Sequence, residues 1–316
     1  MARSTKVYFA TDVHGSEKCF RKFLNAGAAY RPDVMILGGD IAGKAIQAIE
    51  QLGPDRYTTT FRGHRYEVDA GSELPQLERM IADLGYYAWR CPPGELESKV
   101  ADGSVDALLV ELMVDRLTRW MTMADERLHD RGTPAFWMLG NDDPPVLAGP
   151  LDAAPWGRHA EDRVLPVGDY ELISFGWSNP TPWDSFRELT EEQITERLDA
   201  LFAQARDPHR VILNCHVPPY ASGLDEAPML DPDLTVKQSG GQVKLGPVGS
   251  TAVRAAIERY QPIVGLHGHV HESAGFRRIG RTLCVNPGSD YGTGELDGAL
   301  LTLSADKLKT HQLVRG

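Results

Sequence analysis

The chain has little with which to staple itself, anchor itself in a membrane or bind polyanions. Its 316 residues include four cysteines, Cys19, Cys91, Cys215 and Cys284, widely spaced and without a CxxC pair. A disulfide framework and a thiolate zinc site are therefore not expected. Cys215, between Asn214 and His216, reads as a small buried residue ending a strand. No run of 18 apolar residues occurs, so no membrane-spanning helix is expected. The opening, Met-Ala-Arg-Ser-Thr-Lys, leads into a strand-like segment rather than the apolar stretch of a signal peptide, which points to the cytoplasm. Basic residues are outnumbered, 33 Lys and Arg against 44 Asp and Glu, giving a formal net charge of −11. That disfavours a partner such as duplex nucleic acid, which needs a broad basic surface. Internal repeats and low-complexity tracts are absent.

A hydrophobic content of 42% with 24% charged residues is that of an ordinary globular enzyme able to bury a substantial core. Against this background, potential metal ligands cluster in five places: Asp12-Val13-His14, Gly39-Asp40, Gly140-Asn141-Asp142, Cys215-His216 and Gly268-His269-Val270-His271. Each follows a short apolar segment, namely Val7–Ala10, Val34–Leu37, Ala135–Leu139, Val211–Leu213 and Ile263–Leu266. A strand delivers its last side chains to one edge of a sheet, and in open α/β sheets the edge at the carboxyl ends of the strands is where ligands bind. Carboxylate, imidazole and amide oxygen together suit divalent ions such as Mn, Fe(II), Zn or Co. The pattern reads as a two-metal hydrolytic centre.

These blocks resemble the signature of the calcineurin-like metallophosphoesterases, D-x-H, G-D, G-N-[H/D/C], H and G-H-x-H in this order, and they span Asp12 to His271. The resemblance implies an α/β fold, an αββα sandwich of two mixed sheets flanked by helices. It also implies a metal-dependent phosphoric ester hydrolase whose metal-bridging hydroxide attacks phosphorus in line. Carried over by position, one ion falls to Asp12, His14, Asp40 and His271, and the second to Asp40, Asn141, His216 and His269. A group bridging two cations should be an anion, which agrees with Asp40 as the shared ligand. Mn²⁺ comes first among the ions, with Fe²⁺, Zn²⁺, Co²⁺ or Ni²⁺ as alternatives. Asp142, Asn141 and His216 are the candidate catalytic residues.

Asp142 marks a departure, because many family members carry a histidine there that protonates the leaving group. An aspartate, with an ordinary pKa near ~3.9, serves poorly as an acid at neutral pH unless burial or its neighbour Asp143 raises it. Members with other residues at this point tend towards phosphodiesters or small activated substrates, and a phosphodiesterase is the first reading. A phosphomonoesterase with the same site and a non-catalytic scaffold are the alternatives. Gly39-Asp40-Ile41-Ala42-Gly43-Lys44 lacks the G-D-x-x-D-R-G pattern of the protein phosphatases in the family. The expected partner is a small phosphoester, a nucleotide among the candidates, with no membrane and with homo-oligomerisation left open.

The whole chain, 1–316, reads as one domain carrying a cap-like insertion at about 44–133, between the second and third blocks. In it, Arg56–Thr60 and His64–Val68 flank Phe61-Arg62-Gly63 as a β-hairpin, followed by helices at about Glu73–Leu84 and Val105–Arg131. Residues 217 to 248 read as a long loop, and loops of that length are usually functional. Tyr220, Lys237 and Lys244 of this loop, with Arg62, His64 and Arg65 of the hairpin and the long apolar helix as a cap, are expected to wall the cleft. His267 is assigned to the core, and His64, His129, His159, His209 and His311 to the surface. Asn286-Pro287-Gly288-Ser289 reads as a turn buttressing the site.

Overall fold

The computed structural model describes residues 4–231 and 233–316. Two six-stranded mixed sheets form its centre. Across the first the order is Lys307–Arg315, Asp297–Ser304, Ser4–Ala10, Val34–Gly38, Ala135–Met138 and Arg158–His159. Across the second it is Gly275–Ile279, Thr282–Asn286, Val264–Leu266, Val211–Cys215, Tyr170–Phe175 and Val164–Val167. The strands that precede the five ligand blocks run parallel to one another in each sheet, so their carboxyl ends share one edge.

Strand alternation makes the layers. Val7, Phe9, Val34 and Ile36 face inward and meet Leu172, Ile212, Val264 and Val285 of the second sheet. Tyr8, Ala10, Met35 and Leu37 point the other way, against the helices Glu17–Tyr30 and Val105–Leu128. On the far side, Ile173, Leu213 and Cys284 pack on the helices Glu191–Phe202 and Thr251–Tyr260. The result is helices, sheet, sheet, helices, the sandwich the motif order implied. Local chemistry sets the helix starts. Ser16 caps the first helix by accepting from the Cys19 N–H, and Thr190 with Gln193 forms a capping box.

Residues 44 to 133 divide between two roles. His64–Asp69, Arg56–Phe61, Ile46–Gln51 and Tyr87–Cys91 make a separate four-stranded sheet over a small core of Ile49, Tyr57, Phe61, Leu74, Leu77 and Ile81. The helix Val105–Leu128, which ends three residues before the sequence pattern suggests, instead joins the outer helix layer through Leu117, Trp120, Met121, Ala124 and Leu128. The hairpin is present, but two of its sheet partners, Ile46–Gln51 and Tyr87–Cys91, carried no clear alternation in sequence.

Two expectations are corrected. Residues 217 to 248 are not an open loop: Glu226–Pro228 pairs with Leu245–Pro247, and Gln238–Ser239 with Gln242–Val243. The buried Asp225 carboxylate organises the start of this segment by accepting from the N–H groups of Ala221, Ser222, Gly223 and Gly249. Side-chain caps of that kind have no hydrophobic period to read. His159 is not a surface residue. It is 9% exposed at the edge of the first sheet, with Nδ1 3.1 Å from Asp152 and Nε2 3.5 Å from Glu161.

One buried cation ties the inserted segment to the first ligand block. Arg116 donates to the carbonyls of Gly15 (2.7 Å) and Tyr86 (2.8 Å) and lies 4.1 Å over the Tyr87 ring. Arg116→Ala would leave both carbonyls unpaired. Each charged hydrogen bond contributes about 1.5–3 kcal/mol, so the variant should lose roughly 2–4 kcal/mol in chemical denaturation and several degrees in Tm. An unchanged denaturation midpoint would show that this contact does not hold the segment in place.

Candidate metal centre

The five loops at the shared edge bring the sequence-identified ligands together. Asp12, His14 and His271 form one group in which the potential ligand atoms lie within 4.8 Å of one another, and Asp40, His216 and His269 form another. His14 Nε2 and His271 Nε2 are 3.1 Å apart, and His271 Nε2 is 3.3 Å from Asp12 Oδ1. Asp40 Oδ2 stands between the groups, 3.6 Å from His14 Nε2 and 3.4 Å from His216 Nε2. Asn141 Oδ1 lies 2.8 Å from His269 Nδ1. All seven residues expected as ligands therefore line one cluster.

The backbone is bent to achieve this. Asp12, His14, Asp40 and His269 adopt positive φ, at 53, 39, 48 and 66°. Left-handed residues other than glycine are uncommon, and sparsely populated conformations that cost about 1–3 kcal/mol each cluster at functional sites. Here four of the seven ligand positions share the feature. Two glycines permit the close packing. A Cβ on Gly140 would collide with Asp40 Oδ1, and one on Gly268 with Asp12 Oδ2.

Hydrogen bonds lock the loops to each other. Asp12 N–H donates to Gly39 O, His14 N–H to Asp40 O, and Gly268 N–H to His216 O. The His269 N–H donates to the Asp12 carboxylate at 3.1 Å. Asp143, read from sequence only as a neighbour of Asp142, is fully buried and accepts from the N–H groups of Ile41, Ala42 and Gly140, joining the second and third blocks. Burial and the nearby Asp40 push its pKa up to about 7, against the pull of those three donors.

Electrostatics separates the imidazoles. Burial drives His14 down to about 3 and His269 down to about 4, so both are neutral and able to donate a lone pair. His216 is pushed up to about 10: burial opposes its charge, but the Asp40 and Asp12 carboxylates outweigh it. Burial likewise opposes ionisation of Asp12 and Asp40, yet His216 beside them brings Asp12 down to about 2 and holds Asp40 well below the usual range. Two buried carboxylates thus demand positive charge at this point.

The donor set fits divalent metal. His216 donates from Nδ1 to the Gly38 carbonyl at 2.9 Å, while its buried Nε2 faces the cluster with no hydrogen-bond partner among the described residues. A metal-binding histidine is commonly oriented in this way by a backbone carbonyl on its other nitrogen. Asn141 sends its amide N–H to Ser185 and Asp142, which leaves its carbonyl oxygen as the ligand atom. His267 belongs to the core as expected, fully buried with Nδ1 donating to Cys215 O. The turn at Asn286 does buttress the site: its side chain donates to Val270 O, and the Ser289 hydroxyl donates to Asp12 O.

Several residues at the cluster escaped the sequence reading. Tyr291 packs on His14 at 4.6 Å between ring centroids and edge-on to His271 at 5.9 Å. Lys44 reaches Asp142 in an ion pair; although burial works against its charge, Asp142 and Asp40 hold its pKa above the usual lysine value. Arg187, buried against Glu161, donates to Gly140 O at 3.0 Å and fixes the third block from behind. A hydrophobic period marks none of these positions, because loops and one short 3₁₀ turn carry them.

The wall beside the cluster takes in the inserted helix, as expected, but not the long loop. A cavity of about 510 Å³ is lined by Lys44, Asp142, residues 183–186 and two side chains of the helix Val105–Leu128. Tyr220, Lys237 and Lys244 take no part in that lining. The strand pairing within 217–248 turns that segment on itself, and Lys237 pairs with Asp231. From the hairpin, Arg62 donates to Gly292 O next to Tyr291, whereas Arg65 pairs with Glu67. A second cavity, of about 460 Å³, lies around Thr5, Asp33 and Val34 at the opposite ends of the strands.

No family model matches the chain. Over 127 residues it is 30% identical to the uncharacterized protein MJ1162 of Methanocaldococcus jannaschii, a stretch covering 40% of this chain and 51% of that protein. The chain thus spans about half the length of the curated relative it matches. Among solved structures, that of TT1561 from Thermus thermophilus covers 99% of both chains at 15% identity and a TM-score of 0.55. YfcE, a phosphoesterase from E. coli, covers 97% of this chain and 98% of its own at 12% identity and a TM-score of 0.32. The likeness to TT1561 is one of fold, and the chain combines that α/β fold with residue groups able to hold metal ions.

Proposed function

We propose that the protein is a phosphoester hydrolase using two divalent ions, Mn²⁺ first among them, and that it prefers phosphodiesters. The observation that carries this reading is the pair of ligand groups with the Asp40 carboxylate between them. Asp12, His14 and His271 would hold one ion, Asn141, His216 and His269 the other, and Asp40 both. When bound, such ions supply Lewis acidity to the phosphoryl oxygens and lower the pKa of water to near neutrality.

The chain's own residues supply the rest. Lys44 presents a cation beside Asp40 and Asp142, where it can bind a phosphoryl oxygen. Asp142 is half-buried, with its N–H donating to Asp40 Oδ1 and its carboxylate held by Lys44 and by the Ser185 hydroxyl. Its place beside His14 and Asp40 supports a role for it in protonating the departing oxygen. The preference for diesters is supported by charge. The adjoining cavity offers Lys44 as its cation against Asp142 and Asp184, which suits a monoanionic diester better than a dianionic monoester.

Turnover of bis(p-nitrophenyl) phosphate and p-nitrophenyl phosphate by Mn²⁺-loaded protein tests the activity. The diester should show the larger kcat/KM, and EDTA should abolish both. Equal or reversed values would remove the diester preference, and no turnover with metal present would remove the hydrolase reading itself.

Asp40→Asn takes a full negative charge from between the two cations. Metal analysis should find less than two ions per chain, and activity should fall by more than the roughly 10–100-fold typical of losing a group one shell further from a metal. Two ions in an active variant would refute the bridging assignment. Asp142→Ala should slow esters of poor leaving groups by about 10²–10⁴-fold, the usual worth of general-acid help, and p-nitrophenyl esters far less. Equal losses on both would make Asp142 a positioning group for Lys44.

A further inference from the structure

Two large aromatic side chains stand in solvent beside the metal-ligand loops, and the chemistry proposed above does not use them. Trp183 is 63% exposed and Phe186 60%. The segment that carries them is not loose. Thr181 and Ser185 both donate to the Glu188 carboxylate, and the Trp183 N–H donates to the Thr181 hydroxyl. The segment is also fastened to the third ligand block. The Arg187 N–H donates to Asn141 O at 3.1 Å, the Ser185 hydroxyl donates to Asp142 at 2.9 Å, and Asn141 donates to the Ser185 hydroxyl at 3.1 Å. A rigid support therefore displays two apolar rings to water at a fixed offset from Asn141. Burying such a side chain stabilises by about 1.5–3 kcal/mol, and this segment forgoes it twice.

Both rings line the cavity of about 510 Å³, which also holds Leu109 and Met113 as apolar surface and Lys44 and Asp142 at the metal-cluster end. The Asp142 carboxylate has an oxygen within 4.8 Å of ligand atoms of His14 and Asp40, so one residue of the cavity wall stands beside the cluster. Its volume falls in the range of about 300–1,000 Å³ usual for small-molecule sites. Aromatic faces mixed with charged and hydroxyl groups suit a flat ring with polar edges. A plain alkyl chain would set apolar surface against Asp184 and Lys44.

We propose that this cavity receives the organic part of the phosphoester and that this part is a nucleobase-type heterocycle, stacked on Trp183 and Phe186 while its phosphate lies at Lys44 and the metal cluster. The substrate class is thus a nucleotide phosphoester, a refinement that rests on the hydrolase reading above. Stacking of a base on an aromatic side chain is worth about 1–3 kcal/mol, or about 5- to 150-fold in affinity.

Calorimetric titration of Mn²⁺-loaded protein with adenosine 5′-monophosphate and with glycerol 3-phosphate tests the inference, because both carry the same phosphate and only one carries a base. The nucleotide should bind more tightly, and Trp183→Ala and Phe186→Ala should each lower the ratio of the two affinities by about 5- to 150-fold. Both substituted side chains are exposed, so the variants should fold. Equal affinities in the unmodified protein, or a ratio unmoved in both variants, would overturn the proposal. If neither phosphate ligand binds, turnover of bis(p-nitrophenyl) phosphate decides the hydrolase reading and adenosine alone decides the ring site. Quenching of tryptophan fluorescence that Trp183→Ala removes would uphold the site, and no quenching would overturn it.

Discussion

The structure depends on keeping the Asp40 carboxylate buried and charged between His14 and His216. A carboxylate withdrawn from water is costly unless positive charge or donors surround it. Here the Asp142 N–H donates to Oδ1, and the His216 imidazole stands at Oδ2. Asp12 repeats the problem a few ångströms away and meets it with the Thr11 hydroxyl and the His269 N–H. Loops from five strand ends must meet for these partners to be present together, which explains why so much of the fold serves one edge of two sheets.

That convergence strains the backbone locally and is supported from behind. Four ligand residues hold positive φ, a conformation the loops would not keep in isolation. The parallel strands beneath them are almost wholly buried, and their register is set by alternation into two cores. Asp143, Arg187, Asn286 and Ser289 then fasten the loops from the side away from the cluster. A site built on rigid strand ends and held by such secondary hydrogen bonds keeps its ligand atoms in place without relying on a ligand to order them.

Much of this was legible in the chain. The apolar segments before each block marked the central strands, the caps at Ser16 and Thr190 marked two helix starts, and the family resemblance of the blocks implied the sandwich. Asp12, His14, Asp40, Asn141, His216, His269 and His271 could be singled out as candidate ligands because residue types able to bind metal are few and these sit at strand ends. The misreadings have a common cause. Residues 217 to 248 and His159 are organised by side-chain carboxylates, Asp225 in one case and Asp152 with Glu161 in the other. Such contacts join groups without any periodic pattern. The sheet of Ile46–Gln51 and Tyr87–Cys91 was hidden for a related reason, since its faces are only partly buried and so carry weak alternation.

Sequence by itself determined which residue types could bind metal, in what order they occur, and that strands precede them, because strand and turn preferences are local. Tertiary structure alone decided which of those residues meet, since Asp12 and His271 lie 3.3 Å apart across most of the chain's length. It alone also placed Lys44 on Asp142, Tyr291 on His14, and the pair Trp183 and Phe186 beside the cluster. These are contacts between loops, and a loop's destination is set by the packing of the elements it joins rather than by its own residues.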